Sequence, residues 1–382
     1  MKKPYFLAMT TAVMMAGCAS TQTAPSTTQT APKAPTPTAE PSPKVALVLG
    51  GGGTRGYAHI GAIKALEEHG ISPDLVVGTS AGAMVGAIYA SGKSAAELER
   101  IANAVNEIDL LDIAPSKQGL IEGTALRDFI NTQVNHTPIE KLPRRFAAVA
   151  TDAQSKATVT FRQGDTGLAV QASSSIPNLF IAPRIPAING KKYIDGGQVA
   201  LLPSAIAKSM GAQMVIAVDV MASLPTTKPK ATKQPSAGIS RTDTGVKAVW
   251  GDDIIELPIN TDAIHKATKD LPISIDMDKL LGMIPANTTI NLPNGLPTSL
   301  PKSKDDFMQM ANGIFMKNAK KATPADIKAS DILIQPKLSE YAVFDGSQKD
   351  EIIQAGYTAT LAQIPQIKAA IAKQHTTKQI HQ

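Results

Sequence analysis

Apolar and polar positions along this 382-residue chain fall into blocks with distinct periods. Val45 to Leu49 is a continuous apolar run rich in β-branched side chains and bounded by glycine, which predicts a strand buried on both faces of a parallel sheet. Tyr57 to His69 spaces its apolar residues as an amphipathic helix does, Asp74 to Val77 leads a second strand into Gly78, and Ala81 to Ser91 predicts the next helix. Arg145 to Thr151 and Ala157 to Gln163 read as two strands around a turn at Gln154-Ser155, and Met214 to Val220 as another buried strand. Ala95 to Asn106, Thr124 to Gln133 and Pro203 to Met210 are helical segments able to cover the faces of such a sheet. Ser330 to Gln335 reads as a last strand, followed by a helix from Gln348 to Lys373 interrupted near Pro365. This alternation predicts an α/β fold, a sandwich of helices around an open sheet. No internal repeat is visible.

Two stretches break the pattern. Ala19 to Pro43 holds six Pro, seven Thr and three Ser and almost no large apolar side chain, so it reads as a disordered tether. Ala222 to Lys302 carries nine Pro among alternating polar and apolar patches and is expected to be an irregular insertion, either a solvated loop or a membrane-contacting lid. Within it Asp276 to Ile284 is compatible with a short amphipathic helix and Leu292 to Pro301 resists any regular element. Lys228, Lys230 and Lys233 are too sparse to establish a lipid-binding patch.

Composition narrows the function classes. Aromatic residues make up only 4% and the formal charge of +6 comes without a dense basic block, which argues against a nucleic-acid partner. The single cysteine excludes an internal disulfide and any zinc site built from several thiolates. Its position is informative. Lys2 and Lys3 form a positive start, Phe6 to Met15 is an apolar stretch of signal-peptide length, and Ala16-Gly17 precede Cys18. Met15-Ala16-Gly17-Cys18 resembles the lipobox of a bacterial lipoprotein signal, with Met15 standing where Leu is usual. That resemblance implies cleavage after Gly17 and acylation of Cys18, anchoring the protein to a membrane of the cell envelope through several acyl chains. Ala19 lacks the Asp that retains resembling lipoproteins in the inner membrane, so the outer membrane is expected.

The chemistry-bearing motifs lie at the ends of the first two strands. Gly50-Gly51-Gly52-Gly53-Thr54-Arg55-Gly56 lets backbone N–H groups converge on an anion at the start of a helix. Gly51 to Gly56 also fits G-x-G-x-x-G, a weak dinucleotide signal, but the strand ending at Gly78 lacks the ribose-binding acid that reading needs. It runs instead into Gly78-Thr79-Ser80-Ala81-Gly82, a G-x-S-x-G elbow between strand and helix. Both loops leave the carboxyl ends of parallel strands, so a carbonyl could meet the Ser80 hydroxyl and the amides together. A serine nucleophile needs a proton acceptor. His59, His69, His136, His265, His375 and His381 do not follow the order of an α/β-hydrolase triad; His59 alone falls near the loop, as a packing or hydrogen-bonding residue or a catalytic one. The other acceptor is Asp195, in Tyr193-Ile194-Asp195-Gly196-Gly197, whose glycines allow a tight turn. Its ordinary pKa is low for a base, so the site would have to raise it or rely on orientation.

Together, Gly51-Gly52-Gly53-Thr54-Arg55-Gly56, Gly78-Thr79-Ser80-Ala81-Gly82 and Asp195-Gly196-Gly197 resemble the three ordered motifs of the patatin-like phospholipase family. The resemblance covers about Lys44 to Val220, including Val149-Ala150-Thr151-Asp152 and Ala172-Ser173-Ser174-Ser175-Ile176-Pro177, and resumes weakly from Ser330 to Ala372. It implies a three-layer α/β/α sandwich with a mostly parallel sheet, and a serine acyl hydrolase acting on phospholipid or lysophospholipid esters without metal or cofactor. Ser80 would be the nucleophile, Asp195 the base, and Gly51, Gly52, Gly53, Thr54, Arg55 and Gly56 the oxyanion hole, with the Arg55 side chain either participating or serving as a surface or carboxylate-pairing group. Gly78, Gly82, Gly196 and Gly197 shape the turns. Ser174 and Ser175 are expected in a turn near the site, with lid or pocket duty as the other reading. The expected division is a signal at 1–17, a lipidated tether at 18–43, a catalytic core at 44–220, the insertion at 221–302, the rest of the catalytic domain at 303–375 and a tail at 376–382. A rival class is an envelope-anchored lipoprotein that keeps the fold for binding or scaffolding, and protease activity with the same dyad stays open.

Overall fold

A computed structural model describes residues 44–114, 116–223, 237–242, 245–250, 253–258, 287–291 and 304–380. The signal segment, Cys18, the tether, the three insertion lysines, Asp276 to Ile284 and Leu292 to Pro301 lie outside the described residues.

The apolar runs form the centre of the molecule. Strands β1 (Val45–Leu49), β2 (Leu75–Thr79), β3 (Arg145–Asp152), β4 (Thr158–Phe161), β5 (Arg184–Ile185), β6 (Lys191–Asp195), β7 (Met214–Val218) and β12 (Ile332–Ile334) build an eight-stranded sheet. Its order is β12-β7-β1-β2-β3-β6-β5, with β4 also on β3. From β12 to β3 every pair is parallel, whereas β4 and β6 run antiparallel to β3. Because side chains alternate across a strand, Val45, Leu47 and Leu49 enter one core and Ala46 and Val48 the other. Both sides are buried, which is why the sequence of β1 shows no alternation.

The larger core lies under helices α1 (Tyr57–Glu68), α2 (Ala81–Ala90), α3 (Ala95–Ala104), α4 (Thr124–Gln133) and α5 (Thr166–Ser174). The smaller one is covered by α6 (Ser204–Ser209). A three-layer α/β/α sandwich results. Three further helices follow: α7 (Lys304–Asn318), α8 (Pro324–Ala329) and α9 (Lys349–Leu361), with α10 (Ile364–Ile380) completing the series. Helix α9 packs on α1 where Gly61 faces the Ile353 carbonyl and Gly356 the Ala58 carbonyl, contacts that leave no space for a Cβ. Pro365 sits in the first turn of α10, where its missing N–H is tolerated, and the helix runs past the boundary expected at 375.

Asp195 ends strand β6 and caps the tight 3-10 turn Gly196–Gln198 that its glycines allow. Two elements differ from expectation. Ser173 and Ser174 close helix α5, with Ser175 as its cap, rather than forming a turn of their own. The insertion, expected to be irregular, carries in its described residues a second, antiparallel sheet in the order β10 (Asp253–Pro258), β9 (Gly245–Trp250), β8 (Ala237–Arg241), β11 (Thr288–Asn291). Only Gly251-Asp252 separate β9 from β10, a composition suited to a tight hairpin, and the density of Pro elsewhere in the segment hid it. No helix among the described residues is long and apolar enough to cross a membrane.

Candidate active site

Strand β2 ends at Thr79 and helix α2 begins at Ala81, leaving Ser80 alone to make the turn. Its φ of 54° and ψ of −122° are costly for a residue with a Cβ, and such strain is kept where a side chain must project from a sheet edge. The flanking glycines make the turn possible. A Cβ on Gly78 would run into the Gly82 carbonyl and lie 2.6 Å from the Ala83 nitrogen, and one on Gly82 would strike the Leu49 carbonyl. Ser80 therefore stands at the positive end of the α2 dipole, which favours negative charge developing on or beside its oxygen.

Asp195 reaches the same place from β6, paired with Ala150 of β3. Its N–H donates to the Ser175 carbonyl at 2.8 Å and its carbonyl accepts from the Thr151 hydroxyl at 2.9 Å. The carboxylate Oδ1 accepts the Gly197 N–H at 2.6 Å, while Oδ2 is buried with no well-formed hydrogen bond. Gly196 lies so close to the Val149 carbonyl that a Cβ has no room. Burial pushes the Asp195 carboxyl from its ordinary 3.8 up to about 6, against the Ser80 hydroxyl and the Gly197 N–H, which both pull it down. Ser80 and Asp195, 115 positions apart, are thus brought within hydrogen-bonding reach of each other.

The C-terminal turn of α5 ties the two together. Ser173 Oγ accepts the Ser80 N–H at 2.9 Å and donates to the Val149 carbonyl at 2.5 Å, while the Ser175 carbonyl holds the Asp195 N–H. These positioning roles were not foreseen; three consecutive hydroxyls in an otherwise apolar segment were their only trace in the sequence.

The glycine loop packs against Ser80, and a Cβ on Gly51 would lie 3.3 Å from the Ser80 Cβ. Its donors are not equivalent. The Gly51 N–H is occupied by the Leu201 carbonyl at 3.0 Å and the Thr54 N–H by the Val343 carbonyl at 2.8 Å. Among the described residues, the N–H groups of Gly52 and Gly53 meet no backbone acceptor, so these two are the open donors of the expected oxyanion hole. Arg55 is not exposed, and it pairs with no carboxylate among the described residues. It is buried, and its Nε and Nη2 donate to the Tyr341 carbonyl at 3.0 and 2.8 Å. The Thr54 hydroxyl bonds the Val343 carbonyl at 3.0 Å, so the segment 341–343 clamps the loop from outside. His59 is buried, and burial lowers its pKa to about 4, despite the opposing effect of the Gly50 carbonyl. Neutral at pH 7, it donates Nε2–H to that carbonyl at 2.8 Å, a structural bond at the loop's base.

An apolar cavity of about 170 Å³ opens beside Ser80. Met84, Ile88, Ile101, Leu111, Phe129 and Phe344 are among its walls, drawn from α2, α3, the loop before α4, α4 itself and the residue after the clamp. On its wall the Tyr57 hydroxyl donates to Glu107 at 2.5 Å, and Lys349 lies 3.3 Å from the same carboxylate. No group of three or more potential metal ligands occurs among the described residues.

Residues 47–208 match the family described as "Patatin-like phospholipase". That segment is a patatin-like phospholipase domain. The chain is 38% identical over 182 residues to an uncharacterized NTE family protein of Mycobacterium bovis, covering 47% of this chain and 49% of that one. It is also 38% identical over 183 residues to the human patatin-like phospholipase domain-containing protein 6, covering 46% of this chain and 13% of that one. The match therefore spans about half or less of these relatives' lengths. The crystal structure of VipD from Legionella pneumophila aligns with a TM-score of 0.47 and 14% identity, over 86% of this chain and 68% of that one.

Proposed function

We propose that the patatin-like domain is a serine acyl hydrolase that cleaves fatty-acyl esters of phospholipids or lysophospholipids. The observation that carries this reading is the strained Ser80 beside the buried Asp195, at the edge of an apolar cavity. The acyl chain fills the cavity, which offers it hydrocarbon walls, and its ester carbonyl stops at Ser80. Ser80 Oγ attacks the carbonyl carbon while its proton passes to Asp195. A carboxyl raised to about 6 is a stronger base than an ordinary aspartate yet is still mostly ionised at pH 7. The tetrahedral oxyanion receives hydrogen bonds from the open N–H groups of Gly52 and Gly53 and faces the α2 N-terminus. Collapse breaks the bond to the leaving alcohol, which takes the proton from Asp195. Water then attacks the acyl-serine, gives its proton to Asp195, and releases the fatty acid as Ser80 recovers its proton.

The test combines a fluorophosphonate probe with defined lipids. The purified chain should label and should release fatty acid from phosphatidylcholine or lysophosphatidylcholine vesicles, and Ser80→Ala should lose both with an unchanged circular dichroism spectrum. Full activity in that variant removes Ser80 from the mechanism. A wild-type chain that neither labels nor hydrolyses would favour a binding or scaffolding role.

We also propose that Cys18 carries a lipid anchor holding the domain at the bacterial cell envelope, facing its substrate. Radiolabelled palmitate should enter the wild-type chain in a bacterial host and be lost in Cys18→Ala; unchanged labelling refutes the anchor.

A further inference from the structure

Polar groups that reach into an apolar cavity are few here, and nearly all are accounted for. The Thr54 hydroxyl is taken by the Val343 carbonyl, and the Tyr57 hydroxyl and Glu107 carboxylate bond each other. The Ser80 hydroxyl faces Asp195. One remains. Ser174 lines the same cavity, is only 6% exposed, and its Oγ is buried without a hydrogen-bond partner.

Its neighbours show that the orphaned state is not forced by the helix end. Ser175 Oγ bonds back to the Gln171 carbonyl at 2.7 Å, and Ser173 Oγ reaches the Val149 carbonyl. A buried hydroxyl left unpaired costs stability, so a native structure retains one where something else supplies the partner. Ser174 sits between the residue that fixes the Ser80 N–H and the residue that fixes the Asp195 N–H. A fatty-acyl ester has no polar atoms along its chain, so the group that comes to this point is the ester itself.

We propose that Ser174 is a substrate-contacting residue whose hydroxyl donates a hydrogen bond to an oxygen of the scissile ester, adding a side-chain donor to those of the glycine loop. This rests on the acyl-hydrolase reading and names a residue that the three motifs do not contain. With substrate absent the hydroxyl is unpaired; with the ester bound it is satisfied, and cavity walls keep water from competing.

The proposal makes two measurements move in opposite directions. Ser174→Ala removes an unpaired buried hydroxyl, so the free protein should melt higher, by about 2 °C. The same variant should lose on the order of 10-fold or more in kcat/KM for a long-chain ester. Ser174→Cys, close in size but a weak donor, should fall between the two. A hydroxyl serving only the fold would instead lower the melting temperature when removed, and that result overturns the proposal. So does a Ser174→Ala enzyme within twofold of wild-type kcat/KM. A wild-type chain inactive on every ester sinks the hydrolase reading and this one together, whereas an active wild type with an undiminished Ser174→Ala sinks this one alone.

Discussion

Asp195 ties activity and stability to pH in opposite ways. If it is the base, the rate follows its ionised fraction. With a pKa of about 6 that fraction is about 0.9 at pH 7, half at pH 6 and about 0.1 at pH 5, so kcat/KM should fall roughly tenfold between pH 7 and pH 5. An aspartate at its ordinary 3.8 would stay more than about 90% ionised at pH 5 and give almost no fall. Stability runs the other way. Between 3.8 and about 6 the folded state binds the Asp195 proton more tightly than the unfolded chain does, so this group stabilises at low pH and loses that contribution as pH rises through 6. Raising the carboxyl from 3.8 to about 6 is worth on the order of 3 kcal/mol. His59 opposes it: its folded pKa near 4 lies below the ordinary 6.5, so its contribution is present above 6.5 and lost as pH falls through 4. The two slopes overlap and partly cancel in the wild type. Asp195→Asn should be inactive, yet more stable than wild type at pH 8, with an advantage that shrinks towards pH 4. Initial rates on a soluble ester from pH 4.5 to 8, with urea melts of both proteins at pH 4 and pH 8, check this. An acid limb centred at pH 4, or an active Asp195→Asn, would refute the assignment of the base.

Three further substitutions probe the scaffold around Ser80 and Asp195. Gly82→Ala puts a Cβ into the Leu49 carbonyl and should destabilise by more than about 3 kcal/mol or prevent folding, read from soluble yield and urea melts. Arg55→Leu removes two charge-assisted bonds to the Tyr341 carbonyl; it should cost about 2 kcal/mol in urea melts and reduce kcat, and a wild-type kcat would show that the clamp does not set the loop. Met84→Trp, which narrows the cavity from α2, should depress hydrolysis of hexadecanoyl esters far more than of butanoyl esters in a chain-length series; equal losses would place the acyl chain elsewhere.

What was legible in the sequence depended on whether a residue's constraint is local. Strands β1, β2, β3 and β7 are buried along nearly their whole length, so an apolar run announces them. The Ser80 elbow is equally local, since its glycines are demanded by atoms within a few residues and by the adjoining strand end. Helix α5 is the counter-example. Eight of its nine residues are buried, so it has no polar face and no amphipathic period, and its role in spacing Ser80 from Asp195 could not be read. Strand β6 begins with Lys191 and Lys192 and is half-exposed until Asp195, too weak a pattern to separate from a loop.

The least legible part is the clamp, and it bears on how far the patatin-like match describes a working unit. Residues 47–208 contain Ser80, Asp195 and the glycine loop, but not all that holds the loop in place. The Gly50 N–H is bonded to Val218 in β7, Thr54 and Arg55 are tied to carbonyls at 343 and 341, and Phe344 and Met308 close the cavity. Strand β7 in turn is flanked by β12 from residues 332–334. A backbone amide contributes to an oxyanion hole only if it is already oriented when charge develops, because reorienting it then would consume the gain. The loop's four glycines make that orientation entropically costly to hold without the outside bonds. The proposed catalytic apparatus is therefore completed by chain that follows the insertion, and the insertion's own sheet is a detour between two segments that meet at the glycine loop.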